Sequence, residues 1–273
     1  MNHPHPYLHV TESYLVNPTN ALTVNLIGAG GNGSVMLTAL ARMHQALQAL
    51  EHPGLQVYVW DDDVVSEANI GRQLFAAAEI DYPKAAALTN RYNRFFGTNW
   101  KAIIKKFDEH TATDHPANIT ISCVDTVEAR EGIGAVLKAQ AQEYTRRFEQ
   151  TRKPYYWLDL GNSRHSGQFV MGTVCPIKQP TLAGYLTVES LPTGLDLLGE
   201  QMKQIEKEDN TPSCSLAETL TKQDLFINPT LANMAASLLW SMLRNLKTEV
   251  QGGFLNLSTL SSNPVYIQAP APE

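Results

Sequence analysis

A glycine-rich segment near the start of the chain, residues 28–33, reads Gly-Ala-Gly-Gly-Asn-Gly and follows a short apolar run. Glycines at such a turn let the chain bend tightly (Gly28), let a phosphate approach the backbone (Gly30) and let the next helix pack on the strand (Gly33). Gly31 and Asn32 complete the predicted loop, whose free N–H groups lie at the positive end of a helix dipole. The segment predicts a phosphate-binding turn, and the alternative is a turn that serves packing only.

Three successive acids, Asp61, Asp62 and Asp63, follow the next predicted strand. A carboxylate at the position of Asp61 typically accepts hydrogen bonds from ribose hydroxyls, and NAD enzymes use the same device. For Asp63 two interpretations are equally good, because it either faces the phosphates through Mg²⁺ or is simply exposed. Asp62 is expected to be exposed to solvent.

Asn69, Arg72, Gln73 and Lys84 come next, and they favour a nucleoside triphosphate over other nucleotides. Transfer of an adenylyl group builds negative charge on the α-phosphoryl oxygens and on the leaving pyrophosphate, and guanidinium and ammonium groups stabilise that charge. A dehydrogenase needs such cations only when it holds a 2′-phosphate. The alternative is a set of surface cations that make weak, exposed pairs. The close order of acids and cations favours transfer of an adenylyl group to a carboxylate.

Asp125 follows the fourth predicted strand, at the edge of the sheet where ligands of doubly wound folds bind. A carboxylate at this place is suited to bind the Mg²⁺ that accompanies a triphosphate. The same residue is also suited to cap the following helix, and the two roles are compatible.

Cys214 is the cysteine placed most like a nucleophile, because polar residues flank it whereas Cys123 lies in an apolar strand. Cys175 ends another predicted strand. No histidine close in sequence would activate Cys214, so the alternative is a bystander in a loop.

The elements that must position these residues follow from hydrophobic periodicity and from helix-breaking residues. Helices are predicted at residues 34–50, 84–96, 126–148 and 229–246. Strands are predicted at residues 23–27, 55–60, 101–107, 118–124, 155–160 and 168–174, with weaker candidates at 254–257 and 265–267. This order predicts a doubly wound, Rossmann-like α/β fold with a mostly parallel sheet and a C-terminal extension.

The chain has 273 residues, enough for one large α/β domain. An irregular N-terminal segment is predicted at residues 1–21 and the domain at residues 22–273. Residues 176–228 contain several prolines and a charged, helix-like run near 201–209, and they are predicted to cross one face of the sheet. Residues 229–273 are expected to supply a C-terminal helix and strands.

Composition argues against several other classes of protein. The net charge of −6 gives no reason to expect a nucleic-acid partner. The 3 cysteines are far apart and form no C-x-x-C pair, so no structural zinc is expected. No apolar stretch approaches the roughly 18 residues of a membrane span, and no secretory signal is recognisable. The expected compartment is therefore the cytoplasm, without contact with a membrane.

These motifs resemble the ThiF/MoeB/HesA superfamily, the activating enzymes for ubiquitin-like and sulfur-carrier proteins. The resemblance covers about residues 22–174 and rests on five elements in the family's order: residues 28–34, 60–65, 69–73, 83–84 and 123–125. Residues 212–218 and 223–226 look most like the ThiF-type proteins of plasmid-associated PRTRC systems.

The resemblance implies a role for each site residue. Asp61 would hold the ribose, and Asp125 would bind Mg²⁺. Four residues would orient, hold and polarise the triphosphate of ATP: Asn69, Arg72, Gln73 and Lys84. The acceptor would be the C-terminal carboxylate of a small β-grasp, ubiquitin-like protein, giving an acyl-adenylate and pyrophosphate. Cys214 falls near the cysteine of members that go on to form a thioester or persulfide.

Two features depart from the family pattern. Many relatives bind a structural zinc on two C-x-x-C pairs, which this chain lacks. Many bacterial relatives place an N-terminal arginine into the partner subunit's ATP site, whereas the first arginine here is Arg42, inside a predicted helix. The homodimer common among relatives is therefore an open question for this chain.

The sequence predicts an ATP- and Mg²⁺-dependent adenylyltransferase of the type that activates ubiquitin-like modifiers. One alternative is a non-catalytic scaffold that keeps the nucleotide pocket within a multiprotein system. The other is an NAD(P)-dependent oxidoreductase, which is less well supported because no hydride-transfer acid–base arrangement is recognisable.

Overall fold

The sheet at the centre of the protein is built from the apolar runs of the sequence. The computed structural model describes residues 6–145, 150–208 and 223–269. The described strands are β1 (Tyr7–Val10), β2 (Leu22–Ile27), β3 (Leu55–Trp60), β4 (Lys101–Ile103), β5 (Ile119–Ser122), β6 (Tyr156–Asn162), β7 (Ser166–Thr173), β8 (Leu186–Thr187), β9 (Lys247–Thr248), β10 (Val250–Asn256) and β11 (Ser261–Tyr266). The described α-helices are α1 (Ser13–Val16), α2 (Gly31–Ala49), α3 (Lys84–Phe96), α4 (Val127–Thr145), α5 (Gly194–Glu208) and α6 (Ile227–Asn245).

Eight of these strands form one sheet in the order β11-β10-β7-β6-β5-β2-β3-β4. The strands from β6 to β4 are parallel, and β7, β10 and β11 extend the sheet with antiparallel pairing. From β2 the chain proceeds outward through β3 and β4 on one side, and then through β5 and β6 on the other. The loops that follow β2 and β5 therefore meet at a topological switch point, where ligands of such sheets bind. The predicted doubly wound, mostly parallel α/β fold is confirmed.

Helices cover both faces of this sheet and bury its parallel strands. On one face α2, α3 and α6 contribute Leu40, Leu88 and Leu239 to the main hydrophobic core. On the other face α4 covers a second cluster, to which Ile133 and Trp157 belong. Every residue of β2 is buried, as expected for a central parallel strand that is covered on both sides. No helix in the described ranges is long and apolar enough to cross a membrane.

The expectation of an irregular N-terminal segment is wrong for residues 6–21. β1 lies between β8 and β9 in a separate three-stranded sheet, and α1 follows it. Both elements span only 4 residues, which is too short for periodicity to reveal them. β1 pairs with strands that lie far along the chain, so no local signal marks it.

Several other boundaries differ from the expectation, among them the following. Helix α2 begins at Gly31, so the second half of the glycine-rich segment forms its first turn. β4 ends at Ile103 rather than at residue 107. Within the crossing segment 176–228, the described part contains β8 and α5, and α5 already begins at Gly194.

A fully buried histidine anchors the small sheet on the main one. His9 Nδ1 donates a hydrogen bond to the Val188 carbonyl oxygen at 2.7 Å, and its Nε2 lies 2.7 Å from the Tyr156 hydroxyl. Because a carbonyl can only accept, Nδ1 carries the proton and Nε2 accepts from Tyr156. Burial lowers the pKa of His9, while the bond to Val188 and the charge of Glu12 act in the opposite direction.

The free energy of unfolding is expected to decrease on mild acidification. The pKa of His9 in the folded protein lies below its ordinary value of 6.5. The stabilisation that neutral His9 contributes to the free energy of unfolding is therefore complete above pH 6.5 and is lost as the pH falls below that value. One proton accounts for at most about 1.4 kcal/mol per pH unit. Urea unfolding at several pH values between about 7.5 and 5.5 measures the slope.

The His9→Gln variant is the control for this prediction, because glutamine can also donate and accept but does not titrate. Its pH slope should be shallower than that of the wild type, and equal slopes would contradict the assignment. A residual slope is expected from His44 and His52, since burial lowers the pKa of each of them as well.

Candidate functional site

The glycine-rich turn fits its place only because two positions lack a side chain. Gly28 has a φ of +87°, and a Cβ on it would lie 2.6 Å from the Cys123 carbonyl oxygen at the end of β5. A Cβ on Gly33 would lie 1.8 Å from the Gly28 carbonyl oxygen. Glycine at these two positions therefore lets β2, β5 and α2 meet closely, whereas a Cβ on Gly30 would meet nothing nearer than Gln73 Nε2 at 3.8 Å. The backbone at Gly30 is the part of the turn that a ligand can approach.

Asp61 ties the end of β3 to the glycine-rich turn. Its Oδ2 accepts from the Ala29 N–H at 2.6 Å, and its Oδ1 accepts from the Asp63 N–H at 2.9 Å. Burial raises the pKa of Asp61, and these two hydrogen bonds and the charge of Lys84 oppose the rise. Each carboxylate oxygen retains a further lone pair, so the ribose contact predicted for Asp61 is sterically and chemically compatible with its structural one.

Lys84 and Asp63 form an ion pair at the mouth of the site. Lys84 Nζ lies 2.8 Å from Asp63 Oδ2; the lysine side chain is 9 % exposed and that of Asp63 68 % exposed. The backbone N–H of Lys84 also donates to the Asp63 carbonyl oxygen at 2.9 Å. The exposed acid thus fixes the ammonium group at the start of α3, a role the sequence did not indicate. Asp62 is exposed.

Arg72 and Gln73 line the cavity together with the glycine-rich turn, and each has one buried polar atom without a hydrogen-bond partner among the described residues. Arg72 Nη1 donates to Gln223 Oε1 at 2.6 Å, while its buried Nε has no hydrogen-bond partner within residues 6–145, 150–208 and 223–269. Burial lowers the pKa of Arg72, and the negative charge of Asp125 counteracts this. Gln73 Oε1 is also buried and has no hydrogen-bond partner among these described residues. Buried polar atoms are normally satisfied, so both atoms are suited to contact a ligand or water.

Asn69 holds the loop that carries Arg72 and Gln73. Its Oδ1 accepts from the Ser66 N–H at 2.9 Å and from the Ser66 hydroxyl at 3.1 Å, and so closes a short 3₁₀ turn. Asn69 is not among the described residues that line the cavity. The geometry of Asn69 therefore supports a role in positioning the loop. Asn69 would affect a ligand only through Arg72 and Gln73.

Asp125 is exposed and lies between β5 and α4. The helix-cap hydrogen bond is made by its neighbour, because Thr126 Oγ1 accepts from the Ala129 N–H at 3.2 Å. The Asp125 carboxylate lines the same cavity as Arg72. No group of three or more His, Cys, Asp or Glu side chains gathers in the part of the chain that the structure describes. A dedicated all-protein metal cage is therefore not what these residues form.

One cavity of about 590 Å³ brings these elements together at the carboxyl edge of the parallel strands. This volume lies within the range of roughly 300–1,000 Å³ typical of small-molecule sites. The residues predicted from the sequence that line it are Gly28, Gly30, Gly31, Asn32, Asp61, Asp63, Arg72, Gln73, Lys84 and Asp125. A cavity of about 640 Å³ lies beside α3, next to Tyr82 and Phe95, but none of these residues lines it.

Several residues of the cavity were not predicted. Lys105 and Lys106 follow β4 at the same sheet edge, so the argument applied to Asp125 would have found them. Gln223 and Asn228 come from the far side of the crossing segment, and nothing in their local sequence indicates a site. Asn228 packs so closely on the turn that a Cβ on Gly31 would lie 2.5 Å from its Nδ2.

The cysteines contribute little to the described site. Cys123 is buried, and burial raises the pKa of its thiol far above the ordinary value. Cys175 is half-buried, and burial raises its pKa as well. Cys214, the predicted nucleophile, lies outside the described residues.

The doubly wound sheet and the cavity at its switch point define a nucleotide-binding protein of the Rossmann-like class. Within this class the chain belongs to the ThiF family, whose model matches residues 17–272. The ubiquitin-like modifier-activating enzyme 5 of Branchiostoma floridae is 29 % identical over 135 residues, which are 44 % of this chain and 31 % of that protein.

Solved structures show the same fold at low sequence identity. A crystal structure of E. coli MccB with ATP covers 92 % of this chain and 64 % of its own, with a TM-score of 0.56 and 13 % identity. A crystal structure of selenomethionine PaaA covers 90 % of this chain and 64 % of its own, with a TM-score of 0.56 and 11 % identity. The chain thus spans less than two thirds of the length of these relatives.

Proposed function

We propose that the protein activates a carboxylate by adenylation, with ATP as co-substrate and Mg²⁺ as cofactor. The observation that carries the proposal is the convergence of Arg72, Lys84 and Asp125 on one cavity beside the glycine-rich turn. Two cations and one acid around a phosphate-binding turn suit adenylyl transfer better than hydride transfer. Support also comes from membership of the ThiF family and from the fold shared with MccB, which has been crystallised with ATP.

The residues present fit a bound nucleoside triphosphate. The open backbone at Gly30 and the N-terminus of α2 would bind phosphate oxygens. The Nε of Arg72 is a hydrogen-bond donor without an acceptor among the described residues. Asp61 would accept from the ribose. Lys84 would hold the phosphates, with Asp63 fixing its ammonium group.

Bound ATP supplies an electrophilic α-phosphorus and a pyrophosphate leaving group. Arg72 and Lys84 would stabilise the charge that grows on the phosphoryl oxygens as the acceptor carboxylate forms its bond to phosphorus. Asp125 would hold Mg²⁺ with a single carboxylate, which is how this ion is usually bound when phosphates complete its coordination. The predicted magnesium role of Asp125 thus needs no larger cluster of acids.

For the acceptor we propose the C-terminal carboxylate of a small β-grasp, ubiquitin-like protein. Support comes from the relative named as a ubiquitin-like modifier-activating enzyme, and from the crystal structures that pair MccB with MccA. A cytoplasmic location, a homodimer and the PRTRC subtype belong to the same proposal. A later thioester or persulfide step at Cys214 stays a prediction from the sequence.

ATP–pyrophosphate exchange is the decisive experiment. Purified protein with Mg²⁺ and a candidate β-grasp protein should incorporate labelled pyrophosphate into ATP, and removal of the last residue of the β-grasp protein should abolish this. Binding of ATP without exchange, across all candidate acceptors, would favour the non-catalytic scaffold instead.

Nucleotide preference provides an independent prediction. ATP with Mg²⁺ should raise the melting temperature by several degrees, because a ligand at 100 times its Kd stabilises the folded state by about 2.7 kcal/mol. NAD and NADP should stabilise less, since neither offers a linear triphosphate to the cations of the site. Differential scanning fluorimetry with all three nucleotides measures the order. Equal or greater stabilisation by NAD or NADP would contradict the proposal and favour an oxidoreductase.

A further inference from the structure

The guanidinium group of Arg72 is held by a neutral side chain from a distant part of the chain. Gln223 Oε1 accepts from Arg72 Nη1 at 2.6 Å and from Asn228 Nδ2 at 3.1 Å. Asn228 is 3 % exposed and lies against Gly31, at the start of the helix that follows the glycine-rich turn. These contacts form a chain of four residues that joins Arg72 to the phosphate-binding turn through Gln223 and Asn228.

The partner of Arg72 is the neutral side-chain amide of Gln223, and this neutrality affects how Arg72 can bind a phosphate. A carboxylate in the place of Gln223 would accept the same two hydrogen bonds, but it would neutralise the guanidinium and compete with a phosphate for it. An amide oxygen orients the guanidinium and leaves its full positive charge available. Among the described residues no carboxylate makes an ion pair with Arg72, although the charge of Asp125 acts on it from a greater distance.

Resting on the proposed function, we propose that Gln223 is a positioning residue, which fixes Arg72 toward the triphosphate without neutralising it and is itself held by Asn228. Arg72 has three groups of donors, and Gln223 occupies only Nη1. The buried Nε has no hydrogen-bond partner in the part of the chain that the structure describes. Fixing the long side chain beforehand lowers the conformational entropy that ATP binding would otherwise cost.

The test compares the ATP affinities of two Gln223 variants. A purely structural role of Gln223 and a role in preserving the charge of Arg72 predict opposite orders for these affinities. Gln223→Glu keeps the shape and both acceptor contacts, while Gln223→Leu keeps the bulk and removes both. If Gln223 only supported the fold, Gln223→Glu would be the milder change. The proposal expects the reverse order for ATP, with Gln223→Leu weakening binding several-fold and Gln223→Glu by roughly tenfold or more, the factor for loss of one charge-assisted contact.

Isothermal titration calorimetry with ATP and with adenosine provides the readout, independently of catalysis. Adenosine lacks phosphates, so its affinity should be unchanged in both variants. Gln201→Glu is the matched control, because it makes the same chemical change at an exposed residue of α5 that does not line this cavity. Its ATP affinity should equal that of the wild type. Urea unfolding of each variant verifies that the fold is retained.

The Arg72→Met background separates action through Arg72 from direct repulsion between the new carboxylate and the phosphates. Gln223→Glu should have little further effect on ATP affinity in this background, and an effect of the full wild-type size would overturn the inference. Unchanged ATP affinity in Gln223→Glu, or an equal loss for ATP and adenosine, would overturn it as well. Wild-type protein that binds no ATP would overturn the proposed function together with it.

Discussion

Replacement of Arg72 by alanine is expected to reduce ATP–pyrophosphate exchange by roughly 100- to 1,000-fold, the usual effect of removing one donor that faces developing charge. Arg72 lines the cavity, and its buried Nε has no hydrogen-bond partner among the described residues. Its loss would remove the one guanidinium group among the described residues that line the cavity. The fold should persist, because Arg72 is half-buried and its side chain makes one hydrogen bond to the described residues, with Gln223.

Arg91→Ala is the matched control for this prediction. Arg91 lies on α3, pairs with Glu79 and does not line the cavity, so its loss removes the same side chain from a place without a proposed role. Exchange in Arg91→Ala should stay within about twofold of the wild type, since exposed pairs contribute little. Exchange by Arg72→Ala at the level of this control would exclude Arg72 from the reaction.

The parts of the site that the sequence revealed are those encoded locally. The glycine-rich turn, Asp61 and Asp125 each follow an apolar strand, and parallel strands bring their carboxyl ends to one edge. Helix α3 was bounded correctly because Pro83 precedes it and Gly97, with a φ of +71°, ends it. Local pattern therefore sufficed to predict the fold and part of the cavity lining.

The parts that the sequence did not reveal depend on contacts between distant segments. Gln223 reaches Arg72 from 151 positions along the chain. His9 is buried only because β8 and Tyr156 enclose it. Residue type alone also does not distinguish a ligand contact from a local structural hydrogen bond. Asn69 closes a loop, and Thr126 rather than Asp125 makes the helix-capping bond to Ala129. The sequence pattern predicts which residues lie at the site, but three-dimensional contacts decide which of their side chains remain able to contact a ligand.

A buried ion pair beneath the site illustrates the same limit, and it should have the largest effect on stability. Arg130 Nε lies 3.0 Å from Asp159 Oδ2, and the two side chains are 4 % and 2 % exposed. Arg130 also donates to the Leu160 carbonyl oxygen at 2.9 Å and to the Thr126 carbonyl oxygen at 3.2 Å. It thereby fixes the first turn of α4, next to Asp125, to strand β6. Nothing in the apolar run around Asp159 indicates a charge that is buried and paired.

Asp159→Ala is expected to lower the free energy of unfolding by about 3–5 kcal/mol, because it leaves the Arg130 guanidinium buried without its counter-charge. The double variant Asp159→Leu, Arg130→Met should recover much of this loss, since it removes both charges together and keeps the volume. Urea unfolding of the three proteins measures these differences.

The exposed pair between Glu131 on α4 and Lys203 on α5 provides the matched control. Its atoms lie 3.1 Å apart, but the side chains are 53 % and 45 % exposed. Glu131→Ala should therefore have a much smaller effect on the free energy of unfolding than Asp159→Ala, because water screens the charges in both states. If Asp159→Ala cost no more than this control, the pair would contribute as little as a surface contact. A double variant no more stable than Asp159→Ala would show that the lost charge is not the cause.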